Sequence, residues 1–258
     1  MGPIQYVQMR VSGSSSRFLN AKQSADRPAA LTGEAEPARL WAVLATITFN
    51  VIGVALLTLA PWSNWRTGLA MNIVDQAILL GVALRFRDAL MARLWIYGLV
   101  TGLVELAADA WLVDFTHTLN YSVGGGPLIW RSPAWMPFAW QIVTIQFSVL
   151  GMRLMRWRPL AGLAITGLLG AVNIPYYEEM ARSIHWWQYS GCRMISGTPY
   201  YIILGEFGIA VGIAWLAQRT IQGSWPKIIG AGTIAGLMIF ACYAAAFFLT
   251  DRLGWASR

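Results

Sequence analysis

Seven of the twelve acidic residues, Asp75, Glu105, Asp109, Asp114, Glu178, Glu179 and Glu206, fall within apolar stretches or at their edges. An ionisable side chain at membrane depth costs roughly a few kcal/mol or more, so it faces a protein interior and often marks function. Glu105 and Asp109 are four apart and share one face of a helix. Two carboxylates that close in a low dielectric do not both ionise easily, and a buried acid that keeps its proton can protonate a weakly basic group such as an alkene. The competing structural reading pairs Glu105 or Asp109 with an interior Arg, or bonds one of them to a backbone carbonyl at a kink. Glu178 and Glu179 point about 100° apart on a helix, so at most one of them faces a common centre. Glu206 lies about two turns past Pro199, inside the span that this proline opens, and Asp75 is a partner for any of these acids.

Metal chemistry has weaker signals. Asp114 and His117 are three apart, a spacing that suits a carboxylate–imidazole ligand pair, but Glu179 and His185 are six apart and give no second copy. Glu105, Asp109 and Asp114 are faintly similar to the aspartate clusters of membrane prenyltransferases, without their Asn-Asp start or second cluster. Cys192 and Cys242 are too few for a thiolate zinc or iron–sulfur site. The reading therefore assigns no metal and no cofactor.

The elements that must position these acids are membrane spans. Hydrophobic residues make up 57% of the 258 and charged residues only 12%, against about 25% charged in an ordinary soluble domain. Mean hydropathy is +0.51, and the chain carries 14 Trp, 9 Tyr and 10 Phe. That composition excludes a cytosolic enzyme, a disordered regulator and a disulfide scaffold. It implies an all-α, polytopic membrane protein in the lipid bilayer. The net charge of +7 comes from short Lys and Arg clusters between apolar runs, so no nucleic-acid partner is expected.

Residues 1–39 read as a polar, solvated tail with no signal peptide, and 40–258 as the transmembrane domain. Seven spans are expected, near 40–61, 67–84, 94–115, 133–152, 159–177, 199–217 and 228–249. Thirteen of the 19 Lys and Arg lie in the tail and the even-numbered connections, and six on the other side. This imbalance predicts a multi-pass protein of the cell membrane with a cytoplasmic N-terminus and an outside C-terminus.

Two stretches, 119–140 and 187–206, look alike. Each carries Tyr-Ser, a glycine-bearing turn and then Ser-Pro or Thr-Pro opening the next span. A duplicated three-helix unit is one reading, and two similar interfacial loops the other. Trp111, Trp130, Trp135, Trp140, Trp186, Trp187, Tyr176, Tyr177, Tyr189, Tyr200 and Tyr201 crowd around these loops. An interfacial belt explains most of them. Their coincidence with the acids suits a dry pocket whose rings stabilise a cation.

The segment Glu105…Asn120-Tyr121…Gly126-Pro127…Pro133…Met136-Pro137-Phe138-Ala139-Trp140 resembles the first half of the bacterial carotenoid hydratases. Glu178-Glu179…Trp187…Gly197-Thr198-Pro199…Gly205 resembles their second half. The run Pro175-x-x-Glu178-Glu179 is similar to the Pro-x-Glu-Glu signature of the small heterodimeric lycopene cyclases, with one extra residue. The likeness covers about 120 of 258 residues. It departs at Val113–His117, where an aromatic-Gly run is expected, and at Glu206, where Trp is expected. The resemblance implies a metal-free, multi-span enzyme that protonates an isoprenoid double bond and then cyclises, isomerises or hydrates the cation. Glu105, kept protonated by burial and by neighbouring Asp109, would donate the proton, and Glu178 or Glu179 would be the cation-stabilising or terminating group. Asp75, Asp114, Tyr121, Trp140, Trp187, Tyr189 and Glu206 would shape the substrate site. A proton-coupled small transporter, or a subunit of a larger membrane complex, is the alternative drawn from the same carboxylates. The sequence leaves the oligomeric state open.

Overall fold

Seven long helices account for nearly all of the computed structural model, which describes residues 35–253. They are α1 (Glu36–Leu57), α2 (Trp65–Arg85), α3 (Ala89–Asp114), α4 (Met136–Trp157), α5 (Pro159–Ser183), α6 (Tyr200–Thr220) and α7 (Trp225–Phe247), the last continued by a π-helical turn, Phe248–Arg252. Each is long and apolar enough to cross a bilayer. The protein is thus an all-α polytopic membrane protein, and an odd number of spans puts the two ends of this bundle on opposite faces.

The helix starts follow local chemistry. Proline occupies the first turn of α1, α4, α5 and α7, where its missing N–H costs no hydrogen bond. The Asn64 side chain caps α2, and that of Asp88 caps α3 by accepting from Leu90 and Met91 N–H. Asp88 also forms a buried two-point ion pair with Arg39, at 2.7 and 2.8 Å. From sequence, Arg39 falls in the expected solvated tail and Asp88 in the connection between the second and third expected spans. Instead α1 starts at Glu36, four residues before the expected start at Leu40, and the pair pins it to the start of α3. The fifth span also runs further than expected. It passes through Pro175 to Ser183, as membrane helices do when neighbouring groups take up the freed backbone.

Large apolar side chains cover the outside, among them Leu160, Val172, Leu59 and Leu237, as a lipid-facing surface requires. Exposed Trp41, Trp157 and Trp225 mark one rim and Trp62 and Trp130 the other, which is an aromatic belt at each interface.

The resemblance between the two loops is structural. Both α3 and α5 are followed, two or three residues beyond their last residue, by a histidine in the left-handed region, His117 at φ 55° and His185 at φ 59°. A two-residue strand follows in each case, β1 (Leu119–Asn120) or β4 (Gln188–Tyr189). Next comes a small hairpin, β2 (Leu128–Ile129) with β3 (Ser132–Pro133), or β5 (Met194–Ile195) with β6 (Thr198–Pro199). Each hairpin turns through a residue at φ near 55°, Trp130 or Ser196, and leads to the next helix. The duplicated unit is therefore helix–strand–hairpin–helix, α3–α4 and α5–α6, with two helices instead of the expected three. The equivalent strands β1 and β4 pair antiparallel with each other, Leu119 opposite Tyr189 and Asn120 opposite Gln188. The two copies run in the same direction through the bundle, so the pseudo-two-fold between them is parallel to the helices.

Candidate functional site

A cavity of about 360 Å³ lies beneath the paired loops, within the size range of small-molecule sites. Its lining on α4 runs from Met136 to Leu150, a helical rise of about 21 Å. The roof is aromatic. Trp135, Trp186 and Trp187 pack with ring centroids 5.4–6.2 Å apart, and Tyr121 meets Trp187 edge-on. In the loop that carries Tyr121, Gly126 at φ +86° lies so near Trp65 that a Cβ would stand 2.4 Å from the ring.

Four carboxyl-bearing residues line the cavity: Asp75, Asp109, Glu178 and Glu206. Glu105, completely buried, stands one helical turn from Asp109 and within electrostatic reach of Glu206 and Trp140. Neither Glu105 oxygen closes a hydrogen bond of good geometry. Among the described residues no Lys, Arg or His lines the cavity, so the interior-Arg reading of Glu105 and Asp109 does not hold. Five buried carboxyl groups without a basic partner cannot all carry charge, and the cluster must hold protons.

Each acid at the roof end is held by named donors. Tyr121 and Ser132 hydroxyls both donate to Asp109 Oδ2, each at 2.7 Å. Trp187 Nε1 donates to Glu178 Oε2 at 2.6 Å, and the Tyr189 hydroxyl reaches Glu178 Oε1 at 3.4 Å. The Tyr243 hydroxyl donates to Glu206 Oε1 at 2.6 Å. Burial first, then the charges of Asp109 and Glu105, hold the Tyr121 hydroxyl well above the ordinary phenol range; burial and Glu178 do the same for Tyr189. Both phenols therefore stay protonated and act as donors. These donors occupy one oxygen of Asp109 and one of Glu206, and they reach both oxygens of Glu178.

Asp75 stands on the opposite wall, built by α1 and α2. Asn50 Nδ2 donates to its Oδ2 at 2.8 Å, and Tyr177 is its neighbour from α5. A closed relay below ties that wall in place: Trp95 Nε1 to Gln76, Gln76 to Gln141, and Gln141 back to the Trp95 carbonyl, at 2.8–2.9 Å.

Of the residues singled out from sequence, Asp75, Asp109, Tyr121, Trp140, Glu178, Trp187, Tyr189 and Glu206 meet at this cavity, with Glu105 directly behind. Two expectations are corrected. Glu179 turns outward to an ion pair with Arg182 and accepts from Ser196 at 3.1 Å, so Glu178 is the acid that faces inward. Asp114 is half-exposed and paired with Arg131 at 2.8 Å, away from the cavity. His117, its suggested ligand partner, places Nδ1 3.1 Å from the Val113 carbonyl. Among the described residues no three His, Cys, Asp or Glu side chains converge as metal ligands. The sequence reading missed Ser132, Tyr243, Asn50 and Asn72. The signal for the last three was available, since a lone Tyr or Asn in an apolar span needs a partner.

Fold and site together define a polytopic membrane protein with a carboxyl-lined internal cavity under a duplicated aromatic roof. The profile of a family described as a domain of unknown function (DUF6989) matches residues 106–250, more than half of the chain, and the chain belongs to that family. The match spans both hairpins and takes in Asp109, Glu178 and Glu206 with all their donors. No curated protein and no solved structure matches the chain.

Proposed function

We propose that the protein is a cell-membrane enzyme that protonates a double bond of an isoprenoid lipid and so starts its cyclisation, isomerisation or hydration. One observation carries the reading: carboxyl groups and aromatic rings share a buried cavity that no cationic side chain among the described residues enters. The resemblance to carotenoid hydratases and lycopene cyclases supports it, as does the position of the cavity between lipid-facing helices. The Arg- and Lys-rich face is the cytoplasmic one in this reading, so the roof lies toward the outside.

Asp109 presents the acid to the substrate, and Glu105 behind it holds the second carboxyl of a proton-sharing pair. The proton moves from carboxyl oxygen to an alkene carbon; the π pair becomes the new C–H bond and a cation remains. Trp140, Trp187 and Tyr189 face that cation with ring electrons. It is quenched in one of two ways. Another double bond attacks and a proton leaves to Glu178 or Glu206, giving an isomer; or water adds and loses its proton there, giving the hydrated product. The proton then returns through the adjoining carboxyls to Asp109, so the acid is regenerated.

Lipid mass spectrometry on a bacterial host fed a panel of isoprenoids tests this. A new product isomeric with its precursor, or heavier by one water, should be absent from hosts expressing Asp109→Asn or Glu178→Gln. No new lipid from any precursor, with folded protein in the membrane, would turn the reading toward transport or a subunit role.

A further inference from the structure

The wall opposite the acid cluster carries two polar atoms that the protein leaves without partners. Asp75, 1% exposed, has Oδ2 satisfied by Asn50 and no partner for Oδ1. Asn72 is 8% exposed; its Nδ2 donates to the Gly68 carbonyl at 2.9 Å, and its Oδ1 has no partner. The two residues are three apart on α2, on one face, and both line the cavity. Leaving a buried acceptor unpaired is costly, so such atoms call for a donor from outside the chain. Both orphans are acceptors. A hydrocarbon gives them nothing, whereas a hydroxyl group can donate its proton to one of them.

We infer that Asp75 and Asn72 form a head-group subsite for a hydroxyl-bearing isoprenoid, placing its polar end on the α1–α2 wall and its double bonds against the roof. The inference rests on the isoprenoid reading of the cavity and narrows it: the substrate is an isoprenoid alcohol or phenol rather than a pure hydrocarbon. Asp75 is then a binding residue rather than an acid catalyst, because Asn50 and Tyr177 are its neighbours and the roof acids are not. The Asn50 hydrogen bond holds Oδ2 and leaves Oδ1 as the unpaired oxygen of a residue that lines the cavity.

The test measures binding apart from turnover, using saturated probes with no double bond to protonate. Hexahydrofarnesol and the matching alkane, farnesane, are titrated into the purified full chain in nanodiscs, with tryptophan fluorescence of the roof as readout. The wild type should bind the alcohol at least about tenfold more tightly than the alkane. Asn72→Ala should narrow that preference and Asp75→Ala abolish it, while alkane affinity stays within about twofold and reports an intact cavity. Asp109→Asn should keep the preference while losing turnover of unsaturated precursors. Equal affinity in the wild type would overturn the subsite, since the two acceptors would then be bridged by water or by a proton on Asp75. A preference that survives both alanine variants would overturn it too. Failure of both probes to bind would remove the isoprenoid reading itself, a different result from loss of discrimination.

Discussion

Asp109 and Glu178 are each held by two side-chain donors that sit in, or just beyond, the loops. Removing one should weaken the site without emptying it. Tyr121→Phe leaves Ser132 on Asp109 and forfeits one hydrogen bond to a charged acceptor, worth about 1.5–3 kcal/mol, so turnover should fall about 10- to 100-fold with little change in KM. The adjacent glutamates give a sharper contrast. Glu178→Gln should cut turnover by at least about a hundredfold, whereas Glu179→Gln, which breaks only an exposed pair, should leave it within about twofold. Steady-state kinetics on the two variants checks both figures, and the reverse order would misplace the cavity. Cys192, beside the second hairpin, offers a test independent of turnover. Burial, with Asp251 adding its charge, pushes the thiol up to about 12. It is therefore neutral at pH 8, and alkylation should be much slower than for an unhindered cysteine and still rising with pH above 10. At this scale the acids were legible because an intramembrane carboxylate is conspicuous in any sequence. Their donors were not: Ser132 and Tyr243 lie 23 and 37 residues from the acids they serve, and only the fold brings them there.

Helix pairs close on glycine at the points that fix the acids. A Cβ on Gly102 of α3 would lie 2.1 Å from the Pro137 carbonyl of α4, and one on Gly170 of α5 would lie 2.7 Å from the Glu206 carbonyl of α6. The same crossing is thus made once in each repeat, just below the hairpin. Gly102→Ala must push two backbones apart, and about 2–3 kcal/mol of stability should be lost, read as a lower melting temperature in detergent. Gly81→Ala, with nothing within 4 Å of the new Cβ, should be neutral or slightly stabilising. Both loops were legible as a repeat from Tyr-Ser, glycine and Ser/Thr-Pro. That β1 and β4 pair with each other was not, because two-residue strands leave no periodicity to read. Which of Glu178 and Glu179 faces inward also needed the fold, since each is compatible with a helix and only Arg182 and Ser196 outside decide the phase.

Across the whole molecule, the span count and approximate limits follow from hydropathy, and the errors fall at the ends, where interfacial Trp, Pro and paired charges replace apolar runs. The Arg39–Asp88 pair shows why: its partners are 49 residues apart and make a buried contact from two segments that read as solvated. Breaking it with Arg39→Met leaves Asp88 buried and should destabilise the bundle by about 3–5 kcal/mol, seen as reduced yield and thermal stability of the purified protein. The parallel repeat puts both hairpins on one face, so the acid end of the cavity lies opposite the arginine-rich rim. Under the proposed function, that arrangement would bring a lipid to a proton-bearing site within the bilayer, with the aromatic roof between that site and the water outside. The central claim is that catalysis begins with transfer of a proton to carbon, and solvent isotope incorporation measures this directly. Turnover of the accepted isoprenoid in D2O should place one deuterium at a carbon position of the product, stable to back-exchange and absent with Asp109→Asn. Product that forms at full rate with no carbon-bound deuterium would contradict the account.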